Sequence, residues 1–535
     1  MEMDELESAS PAKLAATRRR FLTLTGAAAA LAFATRLPGS ESASAHGSSP
    51  ADYPFTLGVA SGDPLPDAVV IWTRLAPKPL ERFSGMSYRS VQVDWEVADN
   101  ERFHRPVRRG TALARPEYGH SVHVDVRGLK PGRHYYYRFR VGRHESPVGR
   151  TKTAPDPRLQ TSAMAFAFVS CQRWDDGFFT AYRHLAAEDL DLVVHLGDYI
   201  YEYGIPADGK VRATAVPEPY QSEIDTLDRY RMQYALYKTD PDLQAAHAAF
   251  PFAVTWDDHE VENNYADDIP ENSVAPADFL IRRANGYRAY WENMPLRPLQ
   301  QPYGPDMRLY RRLTYGNLAE FNVLDTRQYR SDQPCGGGMH DDCDERFDPS
   351  RTFLGTEQER WLLDGLGNSR ARWNVLAQQV VMAQLDFNRQ APVNISTDSW
   401  DGYVAPRERL LTGIRDRQVS NPVVLTGDVH RNYAFDLKED FTNPDSTTLG
   451  AEFVGTSVTS GGNGQDLPSN GANLLAANPH LRMVNNERGY VRCTLTPQQW
   501  RADYRVVPYV TTPGAPVSTR ASFVLTDGNP RMEAL

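Results

Sequence analysis

The stretch DLVVHLGDYIYEYG, residues 191–204, begins as a continuous apolar run and ends with acids and three tyrosines. An apolar run bounded by Gly-Asp is typical of a buried strand, which places Asp198 at the strand end and Tyr201 three residues further on. Two interpretations follow. In one, Gly197-Asp198 is an ordinary turn and the tyrosines pack in the core. In the other, Asp198 is a metal-bridging carboxylate and Tyr201 is a ligand beside it.

Other apolar runs in the same part of the chain also end in polar residues. They are AMAFAFVSC (163–171), PFAVTWDDHE (251–260), LAEFNVLDTRQY (318–329) and NPVVLTGDVH (421–430). Between them, segments such as PADFLIRRANGYRAYWENM place apolar residues at helical spacing. Continuous apolar strands that alternate with helices predict an α/β domain over residues 163–535, with sheets covered by helices and sites at the strand ends.

The segment before this domain reads as all β. Residues 52–155 contain short alternating runs such as SVHVDVRGL and HYYYRFRVG, separated by Gly, Pro and Asp. The sequence GLKPGRHYYYRF resembles the turn and tyrosine strand of fibronectin type III-like sandwiches. We therefore predict a small β-sandwich over residues 52–155 and a boundary in the polar linker that follows.

Residues 1–45 have the features of a targeting segment. TRRRFL precedes a short apolar run, and ASA at 43–45 offers a small-residue cleavage site, so the segment resembles a twin-arginine signal peptide. A membrane-anchoring helix is the alternative, but the apolar run is shorter than the roughly 20 residues that span a bilayer. We expect export by the twin-arginine machinery to a secreted, cell-wall or periplasmic location, with no stable membrane span.

Charge and cysteine content exclude other classes. The net charge of −10 is spread over 535 residues without a basic block, which argues against a nucleic-acid-binding surface. Four cysteines are too few for a disulfide framework. In CGGGMHDDC we favour a disulfide between Cys335 and Cys343 over zinc binding with His340 and Asp341, and we place Cys493 in the core.

Four predicted strand ends carry groups that can bind metals. These are Cys171, then Asp198 with Tyr201, then Asp257, Asp258 and His259, and last Asp428 with His430. Each is weak evidence alone, because a lone His or Cys is more often structural. Oxygen donors suit hard cations, whereas imidazole and thiolate suit transition metals. The mixed set predicts two unlike metals that share one carboxylate, and Asp198 is the natural bridge.

The motifs GDYIYEYG, TWDDHEVENN and LTGDVHRN, with FTLGVASGDPLPDAVVIWTRL near the start, resemble those of PhoD-type alkaline phosphatases. These are exported enzymes of the metallophosphoesterase superfamily, related to purple acid phosphatases. The resemblance covers nearly the whole chain. It implies an αββα sandwich that hydrolyses phosphomonoesters and phosphodiesters with a metal-bound hydroxide at an iron–calcium site.

The resemblance also implies a ligand set. It assigns Fe³⁺ to Cys171, Asp198, Tyr201 and His430, and Ca²⁺ to Asp198, Asp258 and Asp428. The chain departs from the wider superfamily, since SCQR replaces an Asp-x-His pair, DDHE replaces Gly-Asn-His-Glu, and GDVH replaces Gly-His-x-His. Oxygen in place of nitrogen at two of these positions favours calcium over zinc there.

Further residues are candidates for catalysis or for support of the site. His259 either protonates the leaving oxygen and steadies the transition state, or orients a ligand as a hydrogen-bond partner of an aspartate. The candidates for phosphate contacts or ligand support, each equally consistent with a loop or cap role, are Asp257, Asn263, Asn264 and Arg431. Arg327 is a weaker candidate of the same kind.

Two other functions remain open from the sequence. One is a phospholipase D-like strict phosphodiesterase on the same scaffold, acting on lipid or wall-polymer diesters. The other is an exported metal-binding or phosphate-binding protein without turnover. Retention of all the candidate ligands together with His259 favours the enzyme, whose expected substrates are small phosphoesters.

Overall fold

The computed structural model describes residues 50–535, so the predicted signal peptide lies outside the described residues. The strands are β1 Val59–Gly62, β2 Ala68–Arg74, β3 Val91–Ala98, β4 Arg108–Ala114, β5 Ser121–Arg127, β6 His134–Val141, β7 His144–Glu145, β8 Gly149–Lys152, β9 Met164–Val169, β10 Leu192–Leu196, β11 Pro251–Thr255, β12 Arg311–Tyr315, β13 Ala319–Val323, β14 Met339–His340, β15 Trp373–Ala377, β16 Ile395–Ser396, β17 Pro422–Thr426, β18 Asn432–Lys438, β19 Thr448–Val454, β20 Leu481–Asn485, β21 Arg488–Leu495, β22 Gln499–Val507, β23 Ser518–Thr526 and β24 Asn529–Ala534. The helices are α1 Thr180–Ala186, α2 Leu227–Lys238, α3 Pro241–Ala249, α4 Pro276–Asn293, α5 Gly355–Asn368, α6 Val404–Asp416 and α7 Gly471–Ala477. In this part of the chain, none of the helices has the length and apolar character that crossing a membrane requires.

Two large sheets form the centre of the molecule. The first has ten strands in the order β24-β23-β22-β21-β9-β10-β11-β1-β2-β5, and the second has seven in the order β12-β13-β15-β17-β19-β18-β20. Strands β9, β10 and β11 run parallel in the first sheet, as do β13, β15, β17 and β19 in the second. Parallel neighbours bring their carboxyl ends to one edge of each sheet, where ligands bind in such folds.

The side-chain alternation of β9 shows how the layers pack. Phe166 and Phe168 face the second sheet, where the ring of Phe166 lies 5.1 Å from that of Phe321, and Ala167 and Val169 face the helices. Residues of α1 to α4 pack on the outer face of the first sheet, and residues of α5 and α6 pack on that of the second. The protein is therefore an αββα sandwich, which confirms the predicted fold class.

The N-terminal segment shares a sheet with this core. Strand β1 pairs in parallel with β11, and β2 and β5 extend the ten-stranded sheet beyond it. Their other face packs on a smaller sheet, β4-β3-β6-β7 with β8, through a core that includes Ile71, Val93 and Phe139. The N-terminal segment is thus a β-sandwich with one layer continuous with the central sheet. A domain boundary after residue 155 stays a prediction.

Two local predictions can be compared with the structure. Cys335 and Cys343 form a disulfide, which confirms that prediction and makes the zinc alternative wrong, and Cys493 is buried as predicted. The helical segment that precedes β11 consists of two helices, α2 and α3. Asp240 lies between these helices and caps α3, because its carboxylate accepts from the N–H of Leu243 at 3.1 Å while Pro241 opens the helix.

Candidate active site

The four predicted strand ends meet at one site through an unusual backbone conformation. Cys171, Asp198, Asp428 and His430 have φ values of 58°, 55°, 63° and 53°. Left-handed backbone is uncommon for residues other than glycine and clusters at functional sites. Each turn follows a buried parallel strand. The Cys171 N–H donates to the Gly197 carbonyl at 3.1 Å, which joins the turn after β9 to the turn after β10. The turns direct all four side chains toward one region.

The first donor group, which we call the thiolate cluster, consists of Cys171, Asp198, Tyr201 and His430. Ligand atoms of Cys171, Asp198 and His430 lie within 4.8 Å of one another. The Tyr201 hydroxyl is 2.9 Å from Asp198 Oδ2 and 3.1 Å from His430 Nε2, and it accepts a hydrogen bond from the Ser460 hydroxyl at 2.8 Å. The structure thus brings together all four residues that the sequence grouped for iron.

The second donor group, the carboxylate cluster, consists of Asp257, Asp258 and Asp428, with ligand oxygens within 4.8 Å of one another. A third set with the same spacing is formed by Asp198, Asp258 and His259. Asp198 and Asp258 therefore connect the two clusters. This is the arrangement that a bridging carboxylate requires, because a shared ligand must reach both groups.

Arg327 lies inside the carboxylate cluster and is fully buried. Its Nε donates to Asp257 Oδ1 at 2.5 Å, and its terminal nitrogens donate to both carboxylate oxygens of Asp398 at 2.8 and 3.0 Å. Its Nη2 also lies 3.7 Å from Asp258 and 3.9 Å from Asp428. The sequence ranked Arg327 low and missed Asp398, which follows the two-residue strand β16 where no apolar run marks a site.

The pKa shifts set Asp258 apart from the other carboxylates of the site, because burial raises the pKa of Asp257 to about 7 and that of Asp428 well above its usual range. Burial, reinforced by nearby carboxylates, raises the pKa of Asp198 well above its usual range, and burial with the Asp198 charge does the same to Cys171. Burial would also raise the pKa of Asp258, but the charges of Arg327 and His259 hold it low. Asp198 Oδ1 is buried without a hydrogen-bond partner among residues 50–535. A cation held there would satisfy that oxygen and favour the charged donors.

His259 is fixed by a carboxylate that the sequence analysis did not identify. Its Nδ1–H donates to Glu202 Oε2 at 2.7 Å, and its ring centroid lies 4.2 Å from that of Tyr201. Burial alone would lower the pKa of His259, but Glu202, Asp258 and Asp198 raise it well above its usual value. Because Glu202 engages Nδ1, Nε2 is the ring nitrogen that remains available for a contact in the site. Glu202 directly follows Tyr201 in the sequence, and this position beside a predicted ligand could have identified it as a site residue.

The weaker candidates make other contacts. The Asn263 side-chain amide donates to Glu271 at 2.6 Å, while its backbone N–H donates to Glu202 Oε1 at 2.8 Å. The Arg431 guanidinium donates to the Asn470 side chain at 2.8 Å. Asn264 supports the site through its backbone, because its N–H donates to Asp258 Oδ2 at 2.7 Å. Asn264 is thus placed to orient a carboxylate ligand by its position in the loop.

Glu260 joins the loops that carry both clusters, a role that the sequence analysis did not identify. Its buried carboxylate accepts hydrogen bonds from the N–H groups of Asp198 at 3.2 Å, Tyr199 at 2.6 Å and Asp257 at 2.9 Å. One side chain therefore fixes the backbone after β10 and the backbone after β11 relative to each other. Such support is what metal ligands need to keep their geometry.

Known proteins resemble this chain in sequence and fold over nearly its whole length. A family model described as PhoD-like phosphatase matches residues 166–504, and a second, described as the N-terminal domain of PhoD-like phosphatase, matches residues 40–155. The chain is 54% identical over 509 residues to Alkaline phosphatase D of Bacillus subtilis (strain 168), which covers 95% of this chain and 87% of that relative. A solved structure described as "Structure of PhoD" has a TM-score of 0.88 at 55% identity, covering 91% of this chain and 92% of that one.

The fold, the donor clusters and these relatives define the class: a phosphoric ester hydrolase of the alkaline phosphatase kind that uses metal cofactors. The αββα core and the carboxyl-end position of its site agree with that class. The chain belongs to the PhoD-like phosphatase family.

Proposed function

We propose that this phosphatase cleaves phosphomonoesters and phosphodiesters with Fe³⁺ in the thiolate cluster and Ca²⁺ in the carboxylate cluster, and that Asp198 is shared between them. The proposal rests above all on Asp198 Oδ1, a buried oxygen without a hydrogen-bond partner in residues 50–535, placed where the two clusters adjoin. Asp258 and Asp428 complete the calcium ligands in this proposal. Asp257 is engaged by Arg327 and supports the site instead.

The chemistry of the donors supports two different cations. Thiolate, phenolate and imidazole suit a transition metal, whereas a cluster of carboxylates suits calcium. When bound, the two cations would neutralise the charge that develops on the phosphoryl oxygens.

The protein's own groups would handle the proton of the leaving group. His259 presents Nε2 toward the site, because Glu202 holds Nδ1–H and fixes the ring orientation. The three carboxylates around His259 favour its protonated form, which can donate from Nε2 to the leaving oxygen as the ester bond breaks. In this role Glu202 is a positioning residue, and His259 is the general acid.

Elemental analysis and a visible spectrum of the purified protein test the metal assignment. Iron with calcium and a charge-transfer band would support it, and a colourless protein containing only zinc or manganese would overturn it. Tyr201→Phe and Cys171→Ala should lower iron content together with activity. The matched controls are Tyr203→Phe and Cys493→Ala, the latter a buried thiol on β21 outside the site.

Catalysis by His259 has a separate test. His259→Ala should keep both metals and lower turnover by about 10²- to 10⁴-fold. Loss of metal in this variant would instead assign His259 to ligand support. Rates on a monoester and a diester model substrate, measured in the same preparations, distinguish the broad phosphatase from a strict phospholipase D-like diesterase.

Export and natural substrates extend the proposal. The twin-arginine motif at 17–22 supports export in a folded, metal-loaded state, and an extracellular enzyme would meet wall-polymer or lipid diesters as well as small phosphoesters. Replacing Arg18 and Arg19 by lysine should retain the enzyme inside the cell. Accumulation of the variant outside at the wild-type level would contradict the twin-arginine assignment.

A further inference from the structure

Lys438 is a buried lysine without a charged partner. Its side chain stands at the end of β18, is 4% exposed, and donates to the Thr448 hydroxyl at 3.3 Å. Within residues 50–535, no carboxylate oxygen lies within 4.0 Å of its ammonium group. Lysine is rarely buried unless paired, and an ammonium group has three donors, so two donors of Lys438 remain to be satisfied.

Lys438 lines a cavity of about 150 Å³ that is rich in basic side chains. Its charged and polar lining residues are Asp436, Lys438, His480, Arg482 and Arg531. The one carboxylate is already engaged, because Asp436 Oδ1 accepts from the Met532 N–H at 3.1 Å and its Oδ2 lies 3.7 Å from Arg482. Three basic side chains thus face one carboxylate, which leaves an excess of positive charge in this cavity.

Lys238 shows how the same protein buries a lysine with no anion. Its ammonium lies 4.4 Å from the ring centroid of Trp72 and 5.0 Å from that of Tyr199, whose hydroxyl accepts its hydrogen bond at 3.0 Å. Burial lowers the pKa of Lys238 to about 7, so that the side chain can be neutral. Lys438, by contrast, lines a cavity together with two arginines.

We propose that this cavity is a binding site for a tetrahedral oxyanion, specifically inorganic phosphate, held by Lys438, Arg482 and Arg531. Phosphate carries close to two negative charges at alkaline pH, which matches the charge excess, and it is the product of phosphomonoester hydrolysis. The site is separate from the active site, because Lys438 lies six residues along β18 from Asn432, or roughly 20 Å at about 3.4 Å per residue.

The site would link three strands. Lys438 lies on β18, Arg482 on the edge strand β20, and Arg531 on the C-terminal strand β24, and both β20 and β24 contact β18. Phosphate bound to all three would tie the last strand of the chain to the edge of the second sheet. The protein would then be stabilised by its own product at a site where no reaction occurs.

Equilibrium dialysis of the metal-loaded enzyme with radiolabelled inorganic phosphate tests the proposal. Lys438→Met should bind one phosphate fewer per chain than wild type, with kcat and KM on a phosphomonoester unchanged within about twofold. Arg482→Gln, at a half-exposed position where folding is safe, should weaken this phosphate at least tenfold. Lys130→Met, an exposed lysine outside the cavity, is the matched control and should bind as wild type does.

Three results would overturn the proposal. One is equal phosphate stoichiometry and affinity in wild type and Arg482→Gln, which decides the matter even if Lys438→Met does not fold. Another is displacement of the additional phosphate by chloride at matched ionic strength, which would reduce the cavity to a region of diffuse positive charge. The third is a change of more than twofold in kcat for Arg482→Gln, which would connect the cavity to the active site.

Discussion

The thiolate cluster and the carboxylate cluster adjoin each other but compensate their charge in different ways. The carboxylate cluster is built around Arg327, which contacts Asp257 and lies within 4 Å of Asp258 and Asp428. In the described chain, Asp198 of the thiolate cluster forms no ion pair with lysine or arginine, and one of its oxygens has no partner. The protein supplies an arginine to the carboxylate cluster, whereas Asp198 has only the imidazole of His259 beside it and otherwise depends on a bound cation.

The largest expected effect comes from the residue that connects the clusters. Asp198→Asn keeps the shape of the side chain but removes the charge of the bridging carboxylate, so both metals should be lost and activity should fall by roughly 10³-fold or more. Metal content by elemental analysis and kcat measure the effect, and Asp208→Asn on the surface is the control. If only one metal were lost, Asp198 would belong to a single cluster.

Substitution of Arg327 tests the carboxylate cluster, whose negative charge this arginine offsets. Arg327→Met leaves the carboxylates of Asp257 and Asp398 without their main partner in a buried environment, so unfolding should become easier by about 3–5 kcal/mol. Urea denaturation of the metal-free protein measures this change. Arg409→Met breaks a surface pair with Glu359 and should cost at most about 1 kcal/mol. If Arg327→Met lowered the free energy of unfolding by as little as Arg409→Met, Arg327 would not be needed to compensate the carboxylate cluster, and the two clusters would not differ in this respect.

Glu260 should affect both clusters to a similar degree. In Glu260→Gln, one oxygen that accepts backbone N–H groups becomes an amide donor facing them, so the loops after β10 and β11 should loosen together. We expect metal affinity to fall by about 10- to 100-fold, and excess metal to restore most activity. Glu359→Gln is the surface control. A selective loss of calcium would show that Glu260 supports only the carboxylate cluster.

The last prediction concerns the buried Lys238, which donates to the hydroxyl of Tyr199, the residue that follows Asp198. The pKa of Lys238 is lowered by burial to about 7, so between pH 7 and 10 the unfolded chain binds a proton at this site that the folded chain does not. The free energy of unfolding should therefore rise with pH over this window. Lys238→Met should flatten the rise in urea titrations at pH 7, 8.5 and 10. An unchanged slope would mean that Lys238 stays charged in the folded protein.

The sequence predicted those parts of the site that are marked by local pattern. Asp198, Asp428 and His430 each follow an apolar run, and such runs identify strand ends without any knowledge of pairing. Asp398 could not be found in this way, because it reaches Arg327 across 71 residues from a loop of mixed composition. Glu260 was also missed, since its role consists of backbone contacts that depend on how β10 lies beside β11.

The same limit applies to the fold. Alternating apolar residues identified the N-terminal strands and their sandwich, because alternation reports which face of a strand is buried. Alternation does not report which strand lies next to which. The pairing of β1 with β11, which makes the N-terminal strands part of the central sheet, depends on contacts between segments about 190 residues apart.

The left-handed backbone at Cys171, Asp198, Asp428 and His430 restricts how this enzyme can change its metals. Asparagine and aspartate tolerate that conformation, whereas threonine, valine and isoleucine clash with their own backbone there. A substitution at one of these positions must therefore meet two requirements. It must provide a donor atom that binds the metal, and its side chain must be compatible with left-handed backbone. Efforts to retune metal preference in this scaffold should sample asparagine, aspartate and histidine at these four positions and spend no effort on β-branched side chains.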